Sequence, residues 1–460
     1  PLSSDERVFT GLGVVSPLGE GVSRFWSNCL RARTGICRIT LFDTDDRSSN
    51  VAGWVKGFDP RRTLAPKVYR RMSRISRMAV VASGQAMEDS GLPDETLNGD
   101  RIGVVMGTSF GSSSRVDEFF LSLLEGGPRG AQPFLFPETV PNAPASHIAM
   151  VHGLTGPNCT FCQNGLSSEN AVLYGRNLLL SDQADAVVVG GADELSAAQY
   201  ACYEAIRALA RIRVDHDGPV YPVPGAGIVL GEGAGVLVME RRETAMKRGA
   251  RIYGALQSAW MAGGGPELGH YEIEGNQMAR AMSSALAHAG IEPEEVDRLD
   301  VSANFSGELD RMEHDQLQRI FGNTREPLEV TPLKYLMGDF GGAGAVRMAA
   351  VLLSLHQGKE IPSVEIEVLN GNDGLPVGSE TWKTPREKDL RTVLMTSSTH
   401  GGGSCSMVFS RDRSKTRSAW KTRGGFPPDL RTSRILNSGP VSGRNAALNS
   451  LSRCGRGSTA

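Results

Sequence analysis

The chain has 460 residues, of which 40% are hydrophobic and 22% charged, and its formal net charge is −2. This composition predicts a globular protein with a large core and excludes a fibrous or fully disordered chain. No apolar run approaches the roughly 18 residues of a membrane span, and the first residues lack a signal-peptide pattern, so we expect a cytoplasmic protein without a membrane partner.

The charge is distributed unevenly along the chain. Residues 411–460 hold eleven Lys or Arg and two Asp or Glu, a balance of +9, which leaves −11 for residues 1–410. This tail is rich in Ser, Arg, Gly and Pro and has no apolar period, so we expect it to be disordered. Its composition fits a nucleic-acid arm or an unselected extension, and nucleic acid is not the favoured partner of the chain.

The seven cysteines are scattered without the spacing of a disulfide framework. Cys159 and Cys162 form a C-x-x-C pair, which suggests redox or metal chemistry. No second Cys or His pair stands at zinc spacing, and the two side chains of a C-x-x-C in a strand point to opposite faces. We therefore expect reduced thiols, no metal and no other cofactor.

The first half alternates predicted strands with helices. In chain order these are a strand opening 7–20, a helix over 22–32, a basic helix over 67–90, a buried strand opening 101–114, a Pro-interrupted segment and helix over 134–157, and a buried strand over 184–195. Such alternation predicts an α/β fold with a largely parallel sheet covered on both faces. The basic helix carries Arg70, Arg71, Arg74 and Arg77, which form either a solvated face or a docking patch for an acidic partner.

Residues 158–175 lie at the centre of this pattern. Their sequence predicts three consecutive elements. These are a buried strand from Cys159 to Cys162, a sharp turn at Gln163, Asn164 and Gly165, and a helix that Ser167 or Ser168 could cap. A strand that breaks directly into a helix can present a nucleophile on the turn, near the positive end of the helix dipole.

The second half repeats this order more compactly. A strand runs into a Gly/Ser turn at 298–307, a strand, tight turn and long small-residue helix cover 328–358, and closing strands surround a glycine turn at 391–410. An internal duplication with halves meeting near residue 250 explains the repeat. We expect two equivalent helices, starting near 166 and 339, to pack against each other so that their N-termini converge on one pocket.

Five motifs occur in an order that resembles the β-ketoacyl-acyl carrier protein synthases of the thiolase-like superfamily. They are VFTGLGVVSPLGEG at 8–21, FDP at 58–60, GLTGPN at 153–158, GIVLGEGAGVLVME at 227–240 and TPLKYLMGDFGGAG at 331–344. The resemblance implies a five-layer αβαβα fold with two pseudo-symmetric halves. It places them at 1–248 and 249–410, with the basic tail at 411–460.

The resemblance also indicates where reactive groups would stand. Family members that catalyse use a cysteine and two histidines, which form a thioester and stabilise an enolate. Counted from the motifs, the cysteine place falls on Gly165, and the histidine places fall on Asn304 and Asp339, while Lys334 is retained. On this basis the catalytic set is empty, and we expect a chain that is not an enzyme on its own.

A family branch of this kind is the chain length factor, or β subunit, of type II polyketide synthases. The resemblance implies a heterodimer with a catalytic ketosynthase, which shapes the tunnel for a chain carried on the phosphopantetheine of acyl carrier protein. Many members of that branch have glutamine at the cysteine place, whereas Gln163 stands two residues earlier here.

Two further sets of residues follow from the same resemblance. The set expected to line the tunnel, with Phe110 as its gate, is Phe110, Leu135, Phe136 and Val140. The set expected to dock the acidic carrier protein is Arg70, Arg71 and Arg207. Lys334 is expected to hold its local turn through hydrogen bonds.

Other functions remain open on the sequence. An active condensing enzyme would use Cys162 as its nucleophile, beside Gln163 and Asn164 in the turn. A decarboxylating, priming ketosynthase would use glutamine in place of cysteine but would still need the two histidines. A nucleic-acid-binding protein would work through the basic tail.

Overall fold

A computed structural model describes residues 6–92, 97, 99–266, 269–324, 328–371, 377–378 and 381–412. The predicted tail, apart from its first two residues, lies outside this range. Within it, no helix is long and apolar enough to cross a membrane.

Most strands belong to one large mixed sheet. The strands are β1 (Arg7–Ser16), β2 (Gly19–Glu20), β3 (Ile36–Arg38), β4 (Val51–Gly53), β5 (Ile102–Gly107), β6 (Asn158–Phe161), β7 (Ala186–Asp193), β8 (Gly233–Arg241), β9 (Gly254–Gly263), β10 (Arg298–Asp300), β11 (Glu329–Thr331), β12 (Val364–Glu365), β13 (Thr392–Thr399) and β14 (Gly403–Ser410). Their order across the large sheet is β12-β11-β10-β13-β14-β9-β1-β8-β7-β5-β6, and β2 pairs with β1. β3 and β4 form a separate antiparallel pair.

Helices cover the sheet and fill its centre. They are α1 (Val22–Cys29), α2 (Pro66–Tyr69), α3 (Arg74–Ser90), α4 (Ser113–Gly130), α5 (Ala143–His152), α6 (Ser167–Leu180), α7 (Ala197–Ala205), α8 (Arg242–Lys247), α9 (Asn276–Ala289), α10 (Gly307–Phe321), α11 (Lys334–Met337) and α12 (Ala343–Gln357). The predicted basic helix over 67–90 is wrong in one respect: it is interrupted, because the chain leaves α2 after Tyr69 and restarts α3 at Arg74, where Ser73 caps the new helix.

The sheet shows the two halves that the sequence predicts. In the first half β6, β5 and β7 are parallel, and in the second half β11, β10 and β13 are parallel. Each set continues into antiparallel strands, β8 and β1 on one side and β14 and β9 on the other. The pseudo-symmetric α/β architecture is therefore confirmed, whereas the largely parallel sheet is wrong, because the strands that join the halves are antiparallel. A boundary at 248 falls between α8 and β9 and stays a prediction.

The two central helices meet as expected. Ser168 Oγ, at the start of α6, donates to the carbonyl oxygen of Gly341 just before α12, over 2.8 Å. A side chain at Gly344 would collide with the carboxylate of Glu169, so glycine allows the helices to approach this closely. On the outside, α3 and α5 cover the first half, and α9 covers the second with α10 against it. The five expected layers follow from this arrangement.

Candidate functional site

The first turn follows β6 at the edge of the sheet. β6 ends at Phe161, Cys162 and Gln163 are exposed, and Asn164 enters a short 3-10 turn with a positive φ of 47°. The prediction of a buried strand through Cys162 is wrong, because β6 has a neighbour on one side only and its residues are at most half-buried. An edge strand leaves its end accessible to solvent.

The capping prediction is also wrong. Ser167 and Ser168 lie inside α6, and the residue before the helix, Leu166, gives no side-chain cap. Ser167 Oγ instead accepts from the backbone N–H of Gln163 (2.9 Å) and lies 2.7 Å from the carbonyl oxygen of Asn164. This serine therefore holds the turn onto the helix rather than capping the helix.

Gly165 rests on the second half of the molecule. Its N–H donates to Thr399 Oγ1 at the end of β13, over 3.1 Å. A β-carbon at position 165 would lie 3.4 Å from the Ser398 carbonyl oxygen and from Thr399 Oγ1, which is ordinary contact. A side chain would therefore fit at position 165, but glycine places no side chain there.

Cys162 is an exposed free thiol at the end of β6. The pKa of the Cys162 thiol is raised above the ordinary value for cysteine. Partial burial is the larger cause, and the nearby Asp193 carboxylate is the smaller one. Because the thiolate is the nucleophilic form, the thiol needs either a proton acceptor or an alkaline medium to react.

Asp193 joins the loop after β5 to the start of α12 through hydrogen bonds. It is fully buried, and its carboxylate accepts from the N–H of Ser109 (2.9 Å), from Thr108 Oγ1 (2.7 Å) and from the N–H of Gly342 (3.1 Å). Burial raises its pKa to about 7, although these donors oppose the shift. Its charge therefore changes close to neutral pH, next to the candidate site.

The second turn lies between α11 and α12 and holds Asp339, one of the two residues at the histidine places, whereas the other, Asn304, lies in the loop after β10. Asn304 Nδ2 donates to Asp339 Oδ2 over 2.6 Å and to the hydroxyl of Tyr271 over 3.1 Å. Lys334 Nζ lies 2.8 Å from Asp339 Oδ1, and only 2% of the lysine side chain is exposed. Lys334 therefore neutralises Asp339 across the turn, in addition to the backbone bond that its carbonyl accepts from Gly338.

A small cavity lies between the two turns. Its lining includes Ser109, Gly165, Gln199, Tyr271, Asp339 and His400. The sequence predicted the glycine turn between two closing strands but no role for His400. The signal in the sequence was a histidine directly before Gly401, Gly402 and Gly403, where the chain turns back into β14.

The expected tunnel residues do not share one environment. Leu135 is buried, Val140 is half-buried and Phe136 is 57% exposed. Phe110 is 38% exposed, and its ring centroid lies 6.0 Å from that of Tyr203, whose hydroxyl reaches Asn164. Phe110 therefore stands close to the turn, and its role as a gate stays a prediction.

The three arginines expected to dock the carrier protein are exposed, whereas the nearby Arg74 is held in an ion pair. Arg70, Arg71 and Arg207 all face solvent, and Arg207 has a positive φ of 57°. Arg74, which the sequence placed on the same basic face, pairs instead with the buried Glu232 over 2.5 Å. Among the described residues, no group of three or more His, Cys, Asp or Glu could hold a metal ion.

Comparison with known proteins identifies the family. The N-terminal domain model of the β-ketoacyl synthases matches residues 5–245, and the C-terminal domain model matches residues 253–367. The chain belongs to the β-ketoacyl synthase family.

Curated relatives and a solved structure agree with this assignment. The chain is 30% identical to 3-oxoacyl-[acyl-carrier-protein] synthase 2 of Coxiella burnetii over 411 residues, which is 88% of this chain and 98% of the relative. It is also 30% identical to the synthase 2 of Vibrio cholerae over 419 residues, covering 89% and 100%. The ishigamide ketosynthase/chain length factor is similar in structure, with a TM-score of 0.77 and 25% identity over 88% of this chain and 99% of that one.

These relatives correct one expectation. The prediction that the chain is not an enzyme on its own is wrong, because its curated relatives are named as 3-oxoacyl synthases, and the resemblance extends over nearly their whole length. Gly165, Asn304 and Asp339 remain the residues at the three places, so an activity has to rest on other groups.

Proposed function

We propose that this β-ketoacyl synthase family member is a ketosynthase-like acyltransferase that accepts an acyl group from acyl carrier protein on Cys162, in a condensing or decarboxylating reaction. The observation that carries the proposal is the position of Cys162, an exposed thiol at the point where β6 breaks toward α6. Gly165 cannot form a thioester, so the thiol three residues earlier is the candidate acyl acceptor.

The transfer begins when the Cys162 thiol gives its proton to solvent. The thiolate then attacks the carbonyl carbon of the carrier-bound thioester, a new C–S bond forms, and the bond to the carrier sulfur breaks. The carrier thiolate then takes up a proton from solvent. Exposure of Cys162 supports this step, because a carrier-bound chain can reach it from the surface.

The carrier protein is proposed to dock on Arg70, Arg71 and Arg207. All three are exposed, and positive charge attracts an acidic partner and speeds its association. The names of the curated relatives place acyl carrier protein in their reactions. The acyl group that such a carrier would deliver is the proposed substrate.

The test compares two exposed thiols of the same chain. Cys162→Ser should abolish formation of an acyl adduct after incubation with acyl carrier protein loaded with an acyl chain, as measured by intact-protein mass spectrometry. The matched control is Cys202→Ser, which removes the other exposed cysteine among the described residues and should leave the adduct unchanged. An adduct that persists in Cys162→Ser would refute the proposal.

A second candidate function is tunnel shaping in a heterodimer with a catalytic ketosynthase, in polyketide assembly. It is favoured by large apolar side chains that this chain leaves exposed, and it does not require the chain to lack activity. They are Phe120, Leu121 and Leu124 on α4, Phe134 and Phe136 beyond it, Met150 on α5 and Tyr174 on α6. Exposed apolar side chains of this size are typical of protein interfaces, which supports this candidate.

Co-purification separates the two candidates. A stoichiometric ketosynthase partner that carries its own cysteine and histidines would support tunnel shaping. A stable homodimer that condenses substrates without any partner would exclude it. In the heterodimer, Phe110, Leu135, Phe136 and Val140 are the proposed tunnel residues.

A further inference from the structure

The cavity between the two turns is lined by polar side-chain atoms that lack hydrogen-bond partners within the described part of the chain. Gln199 is 98% buried, yet its Oε1 has no hydrogen-bond partner among the described residues, and Ser109 Oγ has none either. Both residues line the cavity together with His400. A buried acceptor without a protein partner is destabilising unless water bonds to it.

The size of the cavity fits such a water. Its open space is on the order of one water molecule, and the absence of a side chain at Gly165 contributes to it. Asn164 and His400 are only half-buried, so the cavity reaches the surface on that side. A water there would have acceptors in Gln199 and Asp339 and an imidazole beside it.

His400 lines the cavity that would hold this water. It sits at the tip of the β13–β14 connection, with its ring centroid 4.4 Å from that of Tyr271 and 6.1 Å from that of Tyr203. The titratable groups that act on it are Asp339, Glu308, Lys334 and His270. Burial, the largest influence, lowers the pKa of His400, so the imidazole is neutral at pH 7 and able to accept a proton.

We propose that this cavity is a hydrolytic site, in which His400 activates a water molecule for attack on an acyl thioester. The acyl thioester as substrate class rests on the proposed function, whereas the water and its base rest on the cavity. The reaction goes beyond acyl transfer, because the nucleophile is water and the product is a free carboxylic acid.

The hydrolysis uses only the water, the imidazole of His400 and the acyl thioester. The water oxygen attacks the thioester carbonyl carbon while the imidazole of His400 takes one water proton. The new C–O bond forms, the C–S bond breaks, and the imidazolium returns the proton to the leaving thiolate. The products are a carboxylic acid and a thiol, and no oxidant or reductant is consumed.

The experiment uses the full chain with Cys162→Ser, so that no acyl group can pass through that thiol. The substrate is the octanoyl thioester of N-acetylcysteamine, and free octanoic acid is measured by mass spectrometry. Adding His400→Gln should lower the rate on the order of 10²-fold, the usual contribution of a general base. The matched control, His288→Gln, changes an exposed histidine on α9 and should leave the rate unchanged.

Two readouts separate a base from a structural residue. The rate should fall toward acid pH as His400 becomes protonated, and this acid limb should vanish in His400→Gln. Free imidazole should restore part of the rate in His400→Ala, because it can enter the space of the missing ring.

Each result decides the proposal. No acid release by the Cys162→Ser protein, an unchanged rate in His400→Gln, or an unchanged acid limb would overturn hydrolysis by His400. None of these results bears on acyl transfer, which is read from the Cys162 adduct in the unmodified chain. Conversely, a missing adduct with intact hydrolysis would remove the proposed acyl acceptor and leave the water site in place.

Discussion

Two turns of similar design precede the central helices α6 and α12, and they differ in burial. In the first turn Cys162 and Gln163 are exposed, whereas in the second every residue of α11, Lys334–Met337, is buried. β6 forms an edge of the sheet, while β11 is covered by β12 on its outer side. The same strand-turn-helix design thus produces an accessible thiol in one half and a closed polar network in the other.

The largest effect should come from breaking the buried network. Lys334→Met leaves the carboxylate of Asp339 without its cation, so we expect a loss of about 3 kcal/mol in the free energy of unfolding. Urea denaturation monitored by circular dichroism measures it. The double variant Lys334→Met with Asp339→Asn removes the uncompensated charge and should recover most of the loss. Equal stability of the Lys334→Met variant and the unmodified chain would mean that the ion pair contributes nothing.

A glycine pair compares packing at the two turns. A β-carbon at Gly342 would lie 2.8 Å from Ala192 Cα, whereas one at Gly165 meets its nearest atoms at 3.4 Å. We therefore expect Gly342→Ala to cost about 1–3 kcal/mol, as overpacking does, and Gly165→Ala to stay within about 0.5 kcal/mol of the unmodified chain. Thermal unfolding of both variants measures the difference. The comparison would fail if Gly165→Ala were the more damaging change.

The reactivity of the Cys162 thiol in the exposed first turn should depend on pH. Its pKa is raised, so the thiolate fraction should still be increasing above about pH 8.5, the ordinary cysteine value. We expect the rate of iodoacetamide labelling at Cys162, followed by peptide mass spectrometry in a Cys202→Ser background, to rise several-fold between pH 7.5 and 9. Asp193→Asn removes the nearby negative charge and should move the curve toward lower pH. A plateau below pH 8 would contradict a raised pKa.

The smallest effect on stability should come from Phe110, which borders the first turn. Phe110→Ala removes a part-exposed ring, so we expect a change of about 0.5 kcal/mol in the free energy of unfolding. If Phe110 is the gate, the products of the chain reconstituted with the proposed ketosynthase partner should become longer, as measured by mass spectrometry. The control, Met246→Ala, shortens an exposed side chain on α8. Unchanged product length in Phe110→Ala would remove Phe110 from the gate.

The local pattern of the sequence determined much of the fold. Hydrophobic runs ending in small-residue turns located β5, β7 and α12, and the order of motifs predicted two halves with a central helix pair. These elements could be predicted because each depends on neighbours within a few residues, where backbone propensity and spacing decide the outcome. The places occupied by Gly165, Asn304 and Asp339 came instead from the resemblance to the β-ketoacyl synthases, and their role stays a prediction.

Tertiary structure alone decided which of these residues meet and which face solvent. Cys162 is exposed because β6 is an edge strand, a property of the strand order and not of the residues around it. His400 and Gly165 line the same cavity because the end of β13 docks on the first turn, through the Thr399 hydroxyl. Asn304 donates to Asp339 because the loop after β10 and the turn before α12 come together in the folded chain. Contacts across hundreds of residues, together with the burial they create, are set by packing of the whole sheet, and a single sequence carries no local signal for them.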